Sequence, residues 1–411
     1  MRARSILITS VAAAVMLTGT ACTGFDQTGF FGTTDASEPP PSEAPEASAP
    51  PSEPTDQVSA ILVQPIQDAL VVLGSDEMEH VEYELLVVNV FSDPVTLTGV
   101  TVIGPDGEEL QQVEGDTLQA ATQELFTKAA SSVVAPSAAV SVDVDLILPP
   151  GEVPARVTHR IDYTLPDDSA GAVIVDDTVV HGPEVAIDRT DATVISPPVA
   201  GDDWVVTTAC CTPNVHRDLR LAIDGRRIAT AETFAVDWAR MVDDRLYEGD
   251  GSRNEQYYTF GEELYAVADG TVVAINEGVA ESAPLVAQSP EAKSGFGGNY
   301  VIIEIDDDVY AAYEHVQADS ITVAVGDTVA TGDVIGKLGN TGPSLGPHLH
   351  FGLLDRPDLF AGRSLPFVID EFTMVGTLDF DASEGDRLVI TPASGTLQEV
   401  YPLHGTVQDF D

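Results

Sequence analysis

Short runs of alternating hydrophobic and polar residues occupy the first half of the chain. Such runs cover 80–90, 95–103 and 139–148, and the turn sequences Gly-Pro-Asp-Gly and Pro-Pro-Gly-Glu end two of them. Alternation with period two between turn residues is typical of β-strands. The spacing predicts an immunoglobulin-like sandwich of antiparallel sheets over 58–192, which acts as a spacer or a binding module.

The second half, 195–411, also alternates. The pattern predicts a hairpin over 264–275 that turns at Asp269 and Gly270, a second hairpin over 299–316, and glycine-punctuated hairpins over 323–336. The whole chain is therefore predicted to be all-β, with two folded domains. Three histidines of the first domain share no spacing and are interpreted as surface residues: His80, His159 and His181.

A second kind of pattern stands at 346–352, Gly-Pro-His-Leu-His-Phe-Gly. If this segment is a strand, His348 and His350 leave the same face and Leu349 leaves the other. Two imidazoles on one face can bind a divalent metal, or one can bind it while the other transfers protons. The alternative is two histidines on a solvated strand.

The charge of the chain restricts its partners. There are 67 acidic and 18 basic residues, so the net charge is −49. A field of that sign repels nucleic acid and anionic lipid, which argues against both as partners. Arg217 and Arg253 are scarce positive charges, and each binds a substrate carboxylate or pairs with a nearby aspartate.

The first residues predict export. A basic start at 1–4 is followed by an apolar run too short to span a bilayer, and the run ends in Thr-Gly-Thr-Ala before Cys22. Segment 1–22 resembles a bacterial lipoprotein signal in which Cys22 is lipidated, although Gly19 replaces the usual branched aliphatic residue. The alternative is a plain secretory signal. The Pro- and Ser-rich segment 23–57 is predicted to be a disordered tether that holds the folded domains near a membrane and its cell wall.

Several motifs of the second half, in this order, resemble the lysostaphin-type zinc metalloendopeptidases that cut peptidoglycan cross-bridges. The resemblance covers about 200–375 and implies a lysostaphin-like antiparallel β-sheet domain (a duplicated hybrid motif). The matching motifs are Phe-Ala-Val-Asp-Trp (234–238), Tyr-Ala-Val-Ala-Asp-Gly-Thr-Val (265–272), Gly-Asn-Tyr-Val (298–301), Tyr-Glu-His-Val (313–316), Val-Gly-Asp-Thr-Val (325–329), Gly-Lys-Leu-Gly-Asn-Thr-Gly (336–342) and Pro-His-Leu-His-Phe (347–351).

The resemblance also implies roles for individual residues. Asp237 and His350 match two of the family's ligands to a single zinc ion, with peptidoglycan as the substrate. His315 and His348 match the two histidines that do not bind zinc; these orient or deprotonate the attacking water and stabilise the tetrahedral intermediate. Zinc with three protein ligands keeps one position open for that water.

The chain departs from the family at one ligand. Thr233 stands four residues before Asp237, where the family has a histidine. His216 is the nearest upstream candidate for the third ligand, and His404 is a remote one. The rival hypothesis is a metal-free domain that binds peptidoglycan or regulates another hydrolase.

The remaining cysteines, Cys210 and Cys211, are adjacent. They form a vicinal disulfide or remain two thiols, and they lack the spacing and the second cysteine pair of a typical zinc site. We assign them no catalytic role.

Overall fold

The computed structural model describes residues 57–125, 127–169, 171–175, 177–286, 289, 292–383, 385 and 387–410. The predicted signal segment 1–22, with Cys22, and nearly all of the predicted tether 23–57 lie outside the described residues. From residue 56 onward the chain groups as one compact unit. None of the helices described is both long and apolar enough to cross a membrane.

Eleven strands of the first half form one hydrogen-bonded sheet, which also carries the single α-helix of the described chain, α1 (Gly115–Ala121). The sheet order is β5-β4-β9-β11-β2-β3-β8-β6, with β1 on β3, β10 on β9 and β7 on β4. The strands are β1 (Ile61–Pro65), β2 (Ala69–Leu73), β3 (Glu79–Asn89), β4 (Val95–Ile103), β5 (Glu109–Glu114), β6 (Thr122–Glu124), β7 (Val133–Val134), β8 (Ala139–Leu148), β9 (Arg156–Thr164), β10 (Val179–His181) and β11 (Val185–Asp188).

The second half forms a twelve-stranded sheet in the order β12-β25-β27-β13-β16-β23-β20-β19-β18-β21, with β24 on β23 and β26 on β25. Two small sheets, β14-β15 and β17-β22, accompany it. The strands are β12 (Thr193–Ile195), β13 (Gly201–Thr208), β14 (Arg220–Ile223), β15 (Arg227–Thr230), β16 (Val236–Arg240), β17 (Glu263–Tyr265), β18 (Gly270–Asn276), β19 (Asn299–Asp306), β20 (Val309–Val316), β21 (Thr328–Val329), β22 (Val334–Lys337), β23 (Leu349–Leu354), β24 (Ser364–Leu365), β25 (Phe367–Leu378), β26 (Ile390–Val400) and β27 (Thr406–Phe410).

Short 3-10 helices interrupt the strands at Ala172–Ile174, Val215–Asp218, Asn254–Gln256 and Lys293–Gly295. The all-β prediction is thus confirmed. The immunoglobulin-like topology and the domain bounds 58–192 and 195–411 stay predictions.

Two large apolar cores hold the sheets. In the first, side chains of β3 and β8 pack with side chains of β4 and β9. The second contains Trp204, Trp238 and Phe351, and it also takes in Leu70 and Val72 from β2 of the first sheet. The two halves therefore share part of a core.

Strand alternation places the candidate site on the face opposite this second core. Trp238 of β16 and Leu349 of β23 are fully buried in the core. Asp237 and His350 point the other way, and the two residues pair in register across the strands. Period two thus gives one core face and one polar face.

Two of the three predicted hairpin regions are wrong. β17 and β18 do not pair with each other, because β17 pairs with β22 and β18 pairs with β19 and β21. The Asp269 side chain instead accepts hydrogen bonds from the backbone and hydroxyl of Thr331. Within 323–336, β21 and β22 likewise pair with distant strands. The hairpin over 299–316 is confirmed, as β19 and β20.

The prediction that the first-domain histidines lie on the surface is also wrong for two of them. His80 and His159 are 4% and 1% exposed. His80 contacts Asp76 and Asp145, while His159 hydrogen-bonds Tyr83. Partners 65 and 76 residues apart in sequence satisfy their polar atoms, which spacing alone does not reveal. The two cysteines, Cys210 and Cys211, are bonded to each other.

Candidate metal centre and cleft

Three side chains converge as a possible metal-binding group: His216, Asp237 and His350. One ligand atom of each lies within 4.8 Å of the others, and all three residues are buried. His216 Nε2 is 3.1 Å from Asp237 Oδ2, and His350 Nδ1 is 2.9 Å from Asp237 Oδ1. Nitrogen and carboxylate donors at these spacings fit a tetrahedral zinc ion, which takes such ligands at about 2.0–2.2 Å.

The proton position on His216 suits a ligand. Its Nδ1 lies 3.1 Å from the carbonyl oxygen of Ala235. A carbonyl only accepts, so Nδ1 carries a proton, and Nε2, which faces Asp237, is the nitrogen available to bind a metal. A second hydrogen bond of this kind is what orients histidine ligands in metal sites.

Two further histidines stand beside the group without belonging to it. His348 Nδ1 donates to the Gly346 carbonyl at 2.8 Å, and its Nε2 is 3.5 Å from Asp237 Oδ1. His315 Nδ1 donates to the Thr341 carbonyl at 2.8 Å. The ring centroids of His315 and His348 are 4.8 Å apart. Each imidazole therefore keeps Nε2 as an acceptor.

The pKa values of the buried groups at this site shift in different directions. Burial alone would raise the pKa of Asp237, but the charges of His216 and His348 and the hydrogen bonds from His216 and His350 hold it well below its usual range. Burial would lower the pKa of His350, but the carboxylates of Glu314 and Asp237 raise it to about 10. Burial and the neighbouring histidines push the pKa of His315 well below its usual value, so His315 is neutral.

Glu314 is a site residue that the sequence interpretation missed. Its Oε1 is 3.8 Å from His350 Nε2, and burial raises its pKa to about 7. Alternation would turn it away from His315, its neighbour in the strand. Glu314 and His315 nevertheless both line the cleft, because the β19–β20 register is bulged here and His315 has φ +58°. Glu232, whose pKa burial also raises, lines the cleft as well.

The group opens into a cleft of about 780 Å³. Its walls are largely apolar, and among the residues that the structure describes the lining holds no Lys or Arg. Tyr257 contributes to the wall, as does Phe296 from the glycine-rich segment 295–299. Apolar walls around a few polar groups are typical of ligand sites.

The other candidates from the sequence lie elsewhere. Thr233 is buried, its hydroxyl has no hydrogen-bond partner, and it does not line the cleft. His404 stacks on Phe380 and is outside both the cleft and the three-residue group. The position that the family pattern gives to histidine thus has no metal-binding side chain here. His216 reaches the group from a different element, the 3-10 helix at Val215–Asp218.

Comparison with known proteins gives a family match. Residues 257–359 match the family model described as Peptidase family M23. An uncharacterized metalloprotease of Buchnera aphidicola subsp. Baizongia pistaciae (strain Bp) is 36% identical over 88 residues, 21% of this chain and 21% of that protein. The chain thus matches about a fifth of the length of this curated relative.

Among solved structures, the catalytic domain of lysostaphin from Staphylococcus simulans is 20% identical over 40% of this chain and 88% of that one, with a TM-score of 0.22. A zinc containing peptidase from Vibrio cholerae is 14% identical over 74% of this chain and 83% of that one, with a TM-score of 0.25.

The all-β architecture and the His–Asp–His group define a candidate mononuclear metal centre beside an apolar cleft. The match of residues 257–359 to the Peptidase family M23 model confirms the expected resemblance to lysostaphin-type peptidases over that span. Two of the three candidate ligands, His216 and Asp237, precede the matched span.

Proposed function

We propose that the protein is a zinc metalloendopeptidase that hydrolyses peptide cross-bridges in cell-wall peptidoglycan. The observation that carries the proposal is the convergence of His216, Asp237 and His350 next to two histidines with free acceptor nitrogens. This proposal includes three claims: that the metal is zinc, that the bond cleaved is a peptide bond, and that the substrate is peptidoglycan.

The residues of the centre have two kinds of role: some would bind the zinc ion, and others handle protons and the attacking water. His216, Asp237 and His350 would hold zinc, which when bound supplies a water of pKa near ~7 and polarises the scissile carbonyl. His348 takes the water proton at Nε2 and returns a proton to the leaving amine, because its Nδ1 is occupied by the Gly346 carbonyl. Neutral His315 accepts a hydrogen bond at Nε2 and orients the water.

The cleft suits an uncharged stretch of peptide. Apolar walls and the lack of Lys and Arg among its described lining residues favour small, neutral cross-bridge residues over a carboxylate-rich segment. The whole-chain charge of −49 also argues against polyanionic substrates.

We further propose that the protein is exported and held at the outer face of the membrane by a lipid on Cys22, with peptidoglycan as its partner. Fatty-acid labelling of the full chain and of Cys22→Ser tests the anchor. Labelling that survives in Cys22→Ser would refute it.

The first experiment measures zinc content and release of peptides from purified peptidoglycan, with the full chain. We expect about one zinc per chain, lost in His216→Ala, Asp237→Ala and His350→Ala. His348→Ala should keep its zinc, and its hydrolysis should fall by about 10²–10⁴-fold through loss of the base. His181→Ala, an exposed histidine, is the matched control.

Each outcome decides between hypotheses. Absence of zinc in the wild-type chain, even after incubation with excess metal, would refute the peptidase. Absence of zinc, together with sedimentation on peptidoglycan, would favour the metal-free wall-binding alternative that Thr233 first suggested.

A further inference from the structure

The element that carries His216 has little support of its own. It is a four-residue 3-10 helix, Val215–Asp218. Locally, the side chain of Asn214 accepts a hydrogen bond from the His216 backbone, and the imidazole donates to Ala235. A helix this short is not stable by itself, so contacts outside it must fix the position of the imidazole.

The next residue, Arg217, supplies such a contact with the first sheet. Its Nη1 donates to Glu82 Oε2 at 2.5 Å, and Nη2 contacts the same oxygen. Arg217 and Glu82 are only 3% and 1% exposed. They are 135 residues apart in sequence. An ion pair this deeply buried fixes geometry, because moving either charge away from its partner is costly.

Further contacts repeat this arrangement along the same segment. Arg220 pairs with Asp143 of β8 and donates to Gln123 of β6 at 2.7 Å. The amide of Gln123 in turn donates to Asp218. Three of the four residues that follow His216 therefore contact the first sheet.

The first sheet presents charges that require such partners. Glu82 and Glu84 of β3 lie opposite Asp145 and Asp143 of β8 in the strand register. Like charges directly opposite each other destabilise a strand pair, and buried carboxylates need cations. Arg217 lies within 4.0 Å of both Glu84 and Asp143 in addition to its bond with Glu82.

We propose that Glu82 is a positioning residue for the metal centre, which holds the candidate ligand His216 in place through Arg217. The inference rests on the proposed zinc site. It gives the first sheet a role in positioning the metal centre. One side of the 3-10 helix at Val215–Asp218 lines the cleft, and the other side is bonded to β3. The ligand that replaces the family's histidine is thus set by a contact between the two halves of the chain.

The test is Glu82→Gln in the full chain, which keeps the side-chain volume and removes the charge. Glu84 and Asp143 remain beside Arg217, so the guanidinium keeps anionic neighbours. We expect zinc affinity, measured by chelator competition, to fall by about 10- to 100-fold, as for partners that orient metal ligands. Hydrogen exchange of backbone amides in 214–220 should become faster in the zinc-free chain.

The matched control is Tyr83→Phe, the next residue of the same strand. Tyr83 is fully buried on the opposite face and bonds His159, so its loss weakens the sheet without touching Arg217. It should leave zinc affinity and exchange in 214–220 unchanged. If Glu82→Gln does not fold, Glu82→Asp keeps the charge but shortens the reach, and it should also weaken zinc binding.

The outcomes separate the two proposals. A wild-type chain without zinc refutes the proposed function and this inference together. A wild-type chain with zinc and a folded Glu82 variant of equal affinity refutes only the inference. An equal loss of zinc affinity in Tyr83→Phe would show that general destabilisation causes the effect, and it would also refute the positioning role of Glu82.

Discussion

Histidine protonation in this protein is set by the partner on each ring nitrogen. At the candidate centre, backbone carbonyls occupy Nδ1 of His216, His315 and His348. Because a carbonyl only accepts, Nδ1 of each ring carries a proton, and Nε2 is the nitrogen left for a metal, a water or a transferred proton. A single rule at the residue scale thus prepares one ring to bind metal, one to transfer protons and one to orient the water.

His159 follows the same rule in the first core and gives a pH prediction. Its Nδ1 donates to the Pro183 carbonyl and its Nε2 accepts from the Tyr83 hydroxyl, so the neutral ring is fully satisfied. Burial lowers its pKa to about 4. The lowered pKa means that the neutral ring stabilises the fold fully above pH ~6.5 and that this stability is lost as the pH falls toward ~4.

We expect about 2 kcal/mol of the free energy of unfolding to be lost through His159 between pH 7.5 and pH 5. Urea unfolding at the two pH values checks this in the wild type and in His159→Gln. The variant should lack that part of the pH dependence, and His181→Gln, at an exposed position, should keep it. An identical pH dependence in His159→Gln would contradict the assignment.

At the scale of elements, the bulge in β20 decides the composition of the cleft. Ordinary alternation would present only one of Glu314 and His315, and the left-handed φ at His315 presents both. Two loops hold that bulge: Gly297 accepts from the His315 backbone, and Thr341 accepts from its ring. The proton-transfer side of the centre therefore depends on loop packing.

Gly298 tests this dependence. It has φ +63°, and a Cβ there would lie 2.3 Å from the Thr341 carbonyl oxygen, the acceptor for His315. Gly298→Ala should displace that acceptor and lower peptidoglycan hydrolysis by about 100-fold, the cost of a misplaced catalytic group. Zinc content should not change, because His315 is not among the candidate ligands.

The matched control is Gly326→Ala, which shares a positive φ but has open space around the added Cβ. It carries only backbone strain of about 1–3 kcal/mol. If Gly298→Ala hydrolyses peptidoglycan as fast as Gly326→Ala, the loop does not position His315.

The sequence predicts the elements better than their partners. Alternation alone placed β4 and β8 at their observed bounds and turned His348 and His350 to one side of Leu349. It failed where strands pair at long range, as for β17 with β22, because the local turn residues at 269–270 mimic a hairpin. It also gave no sign of Glu314, whose orientation depends on one backbone dihedral.

At the scale of the whole molecule, long-range contacts are again what the sequence does not predict. The ion pair between Glu82 and Arg217 joins residues 135 positions apart. The sequence marks Arg217 only as a scarce positive charge and gives no sign that Glu82 is its partner. Further hydrogen bonds also join the two halves of the chain. The Tyr401 backbone hydrogen-bonds the backbones of Leu73 and Ser75, and the hydroxyls of Ser75 and Thr406 are hydrogen-bonded at 2.8 Å. The two predicted domains are therefore tied along their contact by charge, by hydrogen bonds and by shared apolar core.

This sharing predicts that the two cores unfold together. Both tryptophans of the chain, Trp204 and Trp238, lie in the second core, so tryptophan fluorescence reports on that core alone. Leu85 is fully buried in the first core. Leu85→Ala should lower the free energy of unfolding by about 2–5 kcal/mol. Because the cores are coupled, the fluorescence transition should move with it.

Urea unfolding followed by fluorescence and by far-ultraviolet circular dichroism measures this directly. In the wild type the two signals should change at one midpoint, and in Leu85→Ala both should shift to lower urea. Leu62→Ala, at a position 45% exposed in the same sheet, should leave both midpoints in place. A fluorescence midpoint that stays fixed in Leu85→Ala would mean that the halves unfold independently, and then the contacts at Glu82 and Leu70 would not couple them.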